Sequence, residues 1–147
     1  MNKPNKRSLL IVEDSDEDFT ALVRMISKAN ISNPVYRCED GEEALDFLYG
    51  KGEYTDKFIA PRPSVIVLDL NLPGIDGREV LTTLKQNQDL RMIPIIIFST
   101  SSNPKDIDAC YLQGVSGYIV KPMNINILNQ LVKTFLEYWF QSVELPN

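Results

Sequence analysis

Four consecutive apolar residues, Val65 to Leu68, are led by β-branched side chains and run directly into the acid Asp69. The turn-forming pair Pro73-Gly74 follows a few residues later. A short apolar run that ends at a turn is typical of a strand buried on both faces, as in a parallel sheet. Ligands of open α/β sheets bind outside the carboxyl ends of the strands. Asp69 therefore either starts a turn or belongs to a functional site, and the segment alone leaves both possibilities open.

Four further short segments of strand character occur along the chain, and segments with helical spacing of apolar residues separate them. We expect these strands at 8–12, 35–38, 95–98 and 117–120, with a long last helix from about Asn124 towards Val143. Alternating strands and helices predict an α/β fold, a parallel sheet with helices on both faces. The 147 residues suit one domain. We expect that domain at 8–147, without an output domain, after a flexible tail at 1–7.

Composition excludes several functions. The formal net charge of -5 disfavours DNA binding, which needs a basic face. No apolar run approaches the roughly 18 residues of a membrane span, and the N-terminus lacks an apolar signal core. We therefore expect a cytoplasmic protein, in which Cys38 and Cys110 are free thiols. The chain contains no histidine, so neither a phosphohistidine nor a histidine general base is available.

Polar residues follow four of the five predicted strands. Glu13 and Asp14 follow the first, Asp69 the third, Ser99 the fourth and Lys121 the fifth. Carboxylates that converge on one edge repel each other unless a hard cation such as Mg²⁺ neutralises them. A hydroxyl and an ammonium at the same edge could both donate hydrogen bonds to a phosphoryl oxygen. Each residue alone could be a helix-terminal acid, a turn residue or a surface lysine, but together they indicate phosphoryl chemistry.

The chain resembles the receiver domains of two-component response regulators over nearly its whole length. The motifs that carry the resemblance are Leu10 to Asp14, Val67 to Gly77, Pro94 to Ser99, and Tyr118 to Pro122. The resemblance implies a flavodoxin-like, doubly wound sheet of five strands in the order 2-1-3-4-5, with five helices. It also implies a phosphoacceptor protein rather than a turnover enzyme.

The resemblance assigns roles to individual residues. Asp69 would accept a phosphoryl group from the phosphohistidine of a histidine kinase, and Lys121 would pair with that group. The Mg²⁺ ligands would be Glu13, Asp14, Asp69 and the backbone carbonyl of Asn71.

Ser99 would respond to the phosphoryl group, and Tyr118 would be the aromatic switch. Two residues depart from the usual receiver pattern. Ser99 stands where threonine is commoner, and Thr100 stands where alanine or glycine is commoner. Thr100 could crowd access to the phosphoryl site and alter its turnover.

A narrower resemblance points to the small cyanobacterial response regulators that serve phytochromes. It rests on the insertion from Gly50 to Pro63, the run from Asp76 to Leu81, and the ending from Glu137 to Pro146. That group is single-domain and is phosphorylated by a light-regulated histidine kinase, so the resemblance implies a phytochrome-type partner.

The last helix has a wide apolar face, which predicts a homodimer through the fourth and fifth helices and the fifth strand. One stripe suits packing on the sheet: Leu128, Leu131, Val132, Phe135 and Trp139. A second stripe is displaced around the helix: Ile125, Leu136, Phe140 and Val143. We predict an interface that contains Tyr118, Leu136, Phe140 and Val143. Alternatively, the second stripe covers the protein's own first helix.

Three other functions are compatible with parts of the sequence. An FMN-binding flavodoxin-like protein would be yellow, but Glu13 and Asp14 would repel the phosphate of FMN. A haloacid-dehalogenase-type phosphatase would hydrolyse phosphomonoesters, but it needs an acidic residue where this chain has Asn71. A phosphorylation-independent binding module on a receiver fold would not need the intact Asp69 and Lys121.

Overall fold

A computed structural model describes residues 7–146 of the chain. Residues 1–6 of the predicted flexible tail lie outside the described residues. Arg7, also assigned to that tail, donates from its guanidinium to the carbonyls of Leu145 and Pro146 at 3.1 and 2.8 Å. Within the described range, no helix has the length and apolar character needed to cross a membrane.

Five parallel strands form one sheet in the order β2-β1-β3-β4-β5, which confirms the predicted topology. The strands are β1 Leu9–Val12, β2 Val35–Cys38, β3 Val65–Leu68, β4 Ile95–Ser99 and β5 Gly117–Val120. The helices are α1 Asp16–Lys28, α2 Gly41–Tyr49, α3 Gly77–Gln86, α4 Pro104–Leu112 and α5 Ile125–Glu137. Short 3₁₀ turns occur at Gly52–Tyr54 and Leu90–Met92, and a π-helical turn at Tyr138–Ser142 extends α5.

Each helix begins at a polar side chain that caps its first turn. Ser15 Oγ accepts from the N–H of Asp18 at 3.2 Å, and Asp40 Oδ1 accepts from the N–H of Glu43 at 2.7 Å. Such caps satisfy backbone donors that have no partner inside the helix. Gly50 ends α2 with φ +67°, a left-handed conformation that favours glycine. Each of the five helices follows a strand of the parallel sheet. The helix starts therefore lie at the carboxyl edge of the sheet, beside the strand ends.

The sheet separates two hydrophobic cores, because alternate strand residues point to opposite faces. The core on one face joins the sheet to α2 and α3, and Cys110 of α4 belongs to it. The core on the other face joins the sheet to α1 and α5 through Leu22, Ile26, Val132 and Leu136. Both cysteines are buried free thiols, as predicted.

The structure corrects one part of the predicted dimer interface. Leu136 is 1% exposed and belongs to the core beneath α1 and α5, so it cannot contact a second copy of the folded protein. Phe140 also packs against this core. Leu136 and Phe140 of the second stripe are apolar because α5 lies against α1 as well as the sheet, whereas Ile125 of the same stripe is 59% exposed. Tyr118 and Val143 remain partly exposed.

A small cavity lies in the core between the sheet, α1 and α5. Its volume is about 40 Å³, and its lining side chains are all apolar, among them Val67, Phe98, Ile119, Leu131 and Phe135. A cavity of this size without polar partners does not hold an ordered water molecule. The layer under α1 and α5 is therefore less completely packed at this point.

Gly77, the first residue of α3, packs against the backbone that carries Asp69. A Cβ atom at Gly77 would overlap the carbonyl oxygen of Asp69 and lie 2.7 Å from Cα of Leu70. Because both neighbours are backbone atoms, they cannot rotate away. We expect Gly77→Ala to lower the free energy of unfolding in urea by about 2–3 kcal/mol, a typical cost of overpacking.

The matched control for this prediction is Gly117→Ala, in β5. There, a Cβ atom would lie 3.8 Å from the nearest atom, on Ile96, which is ordinary van der Waals contact. We expect a change below about 1 kcal/mol. Equal losses in the two variants would contradict the steric explanation.

Candidate functional site

The polar residues predicted at the strand ends do converge on one edge of the sheet. Two backbone hydrogen bonds continue the pairing of neighbouring strands just beyond the strand ends. Asp69 N–H donates to the carbonyl of Val12 at 3.1 Å, and Lys121 N–H donates to the carbonyl of Ser99 at 2.7 Å. Glu13, Asp69 and Ser99 are buried although their side chains are polar. The parallel sheet therefore fixes the positions of these side chains.

The ammonium of Lys121 bridges two carboxylates. Its Nζ lies 2.7 Å from Glu13 Oε1 and 3.1 Å from Asp69 Oδ2. The side chains of Lys121, Glu13 and Asp69 are 12%, 3% and 9% exposed, so water screens these ion pairs weakly. Asp69 Oδ1 accepts from the N–H of Asn71 at 3.1 Å, which orients the carboxylate.

Burial and neighbouring charges shift the pKa values of Glu13 and Lys121. Burial raises the pKa of Glu13 to about 7; the hydrogen bond from Lys121 opposes this rise, and the charge of Asp69 adds to it. Burial opposes the charged form of Lys121, but its bond to Glu13 and the two negative charges raise the pKa of the ammonium above its usual value. Lys121 is therefore charged at neutral pH.

Three carboxylates form a group that suits a divalent cation. Glu13, Asp14 and Asp69 each offer an oxygen, and these oxygens lie within 4.8 Å of one another. Two of the three are buried and Asp14 is exposed, so the group is open to solvent on one side. Several carboxylate oxygens with room for water ligands match the preferences of hard cations. The predicted ligand group of Glu13, Asp14 and Asp69 is thus close enough to hold one ion.

One residue of the site escaped the sequence analysis. Asp18 Oδ2 lies 3.4 Å from Lys121 Nζ, at the first turn of α1. In the sequence, Ser15 and Asp18 form a weak capping pattern at the start of a helix, which does not mark Asp18 as part of a site. Asp14 precedes α1, so no helical spacing joins it to Asp18, and the contact of Asp18 with Lys121 is evident only in the folded protein.

Ser99 and Tyr118 contact the loop between β4 and α4. Ser99 Oγ accepts from the N–H of Ser101 at 3.1 Å, and the Tyr118 hydroxyl donates to the carbonyl of Ser101 at 2.8 Å. The two residues predicted as switch elements thus share one partner in this loop.

Comparison with known proteins decides between the functions that the sequence left open. The model of the response regulator receiver domain matches residues 9–133. The chain belongs to the response regulator receiver domain family. This membership confirms the resemblance inferred from the motifs. It favours the receiver interpretation over a flavodoxin-like redox protein or a phosphatase.

Individual relatives of this receiver domain have similar length and structure. The response regulator Rcp1 of Synechocystis sp. is 39% identical over 94% of this chain and 92% of its own length. The Mn²⁺-bound form of Rcp1 superposes with a TM-score of 0.89 at 38% identity, covering 96% of this chain and 99% of the other. The phosphorylated cyanobacterial phytochrome response regulator RcpA gives a TM-score of 0.90 at 37% identity, covering 97% and 100%.

Proposed function

We propose that Asp69 accepts a phosphoryl group from the phosphohistidine of a histidine kinase. The observation that carries the proposal is the position of Asp69, which lies at the sheet edge within hydrogen-bond distance of Lys121 and within the three-carboxylate group. The structure of a phosphorylated relative, RcpA, supports the same chemistry.

In the proposed reaction, a carboxylate oxygen of Asp69 attacks phosphorus and forms an acyl phosphate. The bond from phosphorus to the kinase histidine breaks, and its electron pair returns to the imidazole. Phosphoryl transfer depends mainly on positioning and charge neutralisation. Lys121 supplies a positive charge, and the N–H of Asn71 orients the nucleophile. Mg²⁺ held by Glu13, Asp14, Asp69 and the carbonyl of Asn71 would neutralise further phosphoryl charge.

The phosphoryl group then acts as a signal. Its oxygens are new acceptors near Ser99, whose hydroxyl can donate to them. Because Ser99 and Tyr118 both contact Ser101, a shift of Ser99 reaches Tyr118 through the same loop. The protein thus switches partner binding and has no multiple-turnover substrate.

The proposed partner is a phytochrome-type histidine kinase. The relative RcpA is a phytochrome response regulator, and the similarity to RcpA covers 97% of this chain. We also propose that the protein works in the cytoplasm, where kinases obtain ATP. Its output would be contacts with other proteins, without DNA binding.

Phosphotransfer profiling tests this function. A phytochrome-type kinase and an unrelated histidine kinase, each labelled on histidine, are mixed with the protein and Mg²⁺. We expect transfer from the phytochrome-type kinase within minutes and much slower transfer from the other. The transferred label should survive acid and be lost in alkali, as an acyl phosphate is. An alkali-stable label would contradict the proposal.

We also propose that the protein forms a homodimer through α4, β5 and α5. Large apolar side chains are exposed on or beside these elements: Tyr111, Leu112, Val120, Met123, Ile125 and Ile127. Leu112 is 88% exposed, so its replacement leaves the protomer core intact. We expect Leu112→Asp to weaken association at least about tenfold in sedimentation experiments.

Phe58→Asp is the control, because Phe58 is 95% exposed in the connection before β3, away from the proposed interface. We expect this variant to associate like the wild type. A wild-type protein that sediments as a monomer, with and without phosphorylation, would contradict the dimer.

A further inference from the structure

Arg37 is a largely buried arginine beside the loop that joins β1 to α1. It lies in β2, the edge strand of the sheet, paired with Ile11 of β1. Its side chain is only 18% exposed. Arginine side chains are seldom buried unless their charge is paired. The contacts of its guanidinium group therefore indicate what this residue does.

The guanidinium contacts both ends of the β1–α1 loop, residues 13–15. At the start of the loop, Arg37 Nε donates to the carbonyl of Glu13 at 3.1 Å. At its end, Arg37 Nη1 lies 2.8 Å from Oδ1 of Asp16, the first residue of α1. The guanidinium carbon also lies 4.6 Å from the centre of the Phe19 ring, a cation–π contact. One planar group thus holds the two ends of the loop relative to each other.

The ion pairs of Arg37 contribute little to the stability of the fold. Nη1 also lies 3.3 Å from Glu39 Oε1, but the side chains of Asp16 and Glu39 are 84% and 60% exposed, so water screens both pairs. Nη2 is buried and has no hydrogen-bond partner among the described residues, which costs free energy. The hydrogen bond to the backbone of Glu13, which is 2% exposed, is the contact that water screens least.

The loop that Arg37 holds carries two of the three carboxylates that suit a divalent cation, Glu13 and Asp14. The carboxylate of Glu13 has its own partners, Lys121 Nζ at 2.7 Å and the N–H of Ser15 at 3.3 Å. Asp14 is exposed, and its carboxylate has no hydrogen bond or ion pair within residues 7–146. The position of Asp14 therefore depends on the backbone of the loop.

We infer that Arg37 is a positioning residue for the metal site, which it serves by fixing the loop backbone that presents Glu13 and Asp14 to the cation. Groups that hold metal ligands in place commonly account for about 10–100-fold in metal affinity. The charge of Arg37 alone acts in the opposite direction, because it repels a cation. The inference rests on the proposed function, in which Glu13, Asp14 and Asp69 hold Mg²⁺.

Titration of the full chain with Mn²⁺ tests the inference, with free Mn²⁺ measured by electron paramagnetic resonance. We expect Arg37→Met to bind Mn²⁺ about tenfold more weakly than the wild type, because the loop loses its anchor. Arg37→Lys keeps the charge but lacks the planar fork, so it should also bind more weakly. An effect of charge alone would instead give tighter binding by Arg37→Met and unchanged binding by Arg37→Lys.

Arg24→Met is the matched control, because Arg24 is exposed on α1 and its replacement removes the same charge. We expect this variant to bind Mn²⁺ like the wild type. A second measurement follows the loop itself, by nitrogen relaxation of the Asp14 and Ser15 amides in EDTA. Their order parameters should fall from about 0.85 in the wild type to below about 0.6 in Arg37→Met.

The outcomes separate this inference from the proposed function. Binding of Mn²⁺ by Arg37→Met that is as tight as in the wild type, or tighter, would overturn the positioning role. Loop amides that stay as rigid as in the wild type would overturn it as well. If circular dichroism shows that Arg37→Met does not fold, the same two measurements on Arg37→Lys decide. A wild-type protein that binds no Mn²⁺ would overturn the metal site of the proposed function, and the inference with it.

Discussion

Replacing Asp69 by asparagine is expected to reduce phosphorylation by a labelled kinase at least about 100-fold, because the amide is not a comparable nucleophile. The change is nearly isosteric, and the amide oxygen can still accept from the N–H of Asn71. The fold should therefore persist, which circular dichroism verifies. The measurement is the label retained on the protein after transfer in the presence of Mg²⁺.

Asp76→Asn is the matched control for Asp69→Asn. Asp76 lies in the same β3–α3 loop and caps α3 by accepting from the N–H of Arg78 at 2.7 Å. Asparagine caps helices about as well as aspartate. We expect this variant to be labelled like the wild type. Wild-type labelling of Asp69→Asn would show that the phosphoryl group is attached elsewhere.

Replacing Lys121 by methionine is expected to destabilise the protein strongly when EDTA removes divalent cations. Lys121 is the partner of Glu13 and Asp69, and its loss leaves two buried carboxylates without their ammonium. Breaking a buried ion pair from one side costs about 3–5 kcal/mol. We expect a loss of about 3 kcal/mol in the free energy of unfolding near pH 8.

The destabilisation by Lys121→Met should depend on pH. The pKa of Glu13 is about 7 in the folded protein against a reference value of 4.5, so the folded state binds its proton more tightly than the unfolded state does. The stability that this proton contributes is largest below about pH 4.5 and is lost as the pH rises through about 7. Without Lys121 the folded pKa rises further. The difference between variant and wild type should therefore be smaller near pH 5 than near pH 8.

Lys133→Met is the control for this experiment, because Lys133 is exposed on α5. We expect a change within about 0.5 kcal/mol at either pH. A loss in Lys121→Met that is equal at the two pH values would show that the carboxylates are not responsible. The Lys121→Met variant should also keep part of its phosphorylation while losing the conformational response.

Most of the fold could be predicted from local patterns in the sequence. The strands Val65–Leu68 and Leu9–Val12 were recognisable because parallel strands are buried on both faces and therefore appear as continuous apolar runs. Helix starts can also be recognised locally, because capping depends on residues within one turn, and Ser15, Asp40 and Pro104 are residues of this kind.

The remaining features depend on contacts that a local pattern does not contain. A helical wheel shows how wide the apolar face of α5 is, but not that α1 covers part of it, and so Leu136 was assigned wrongly. The contacts from Arg78 to Asp106 and from Lys121 to Asp18 join residues on different elements. Their partners become evident only after the strand order is fixed.

The cavity beneath α1 and α5 marks a place at which hydrostatic pressure can act on the protein. Hydrostatic pressure favours states that eliminate internal voids, with unfolding volumes of roughly -20 to -100 mL/mol. The void of about 40 Å³ is bounded by α5 and the sheet face that carries Phe98, the residue before Ser99. We therefore expect moderate pressure to act where the last helix meets the sheet.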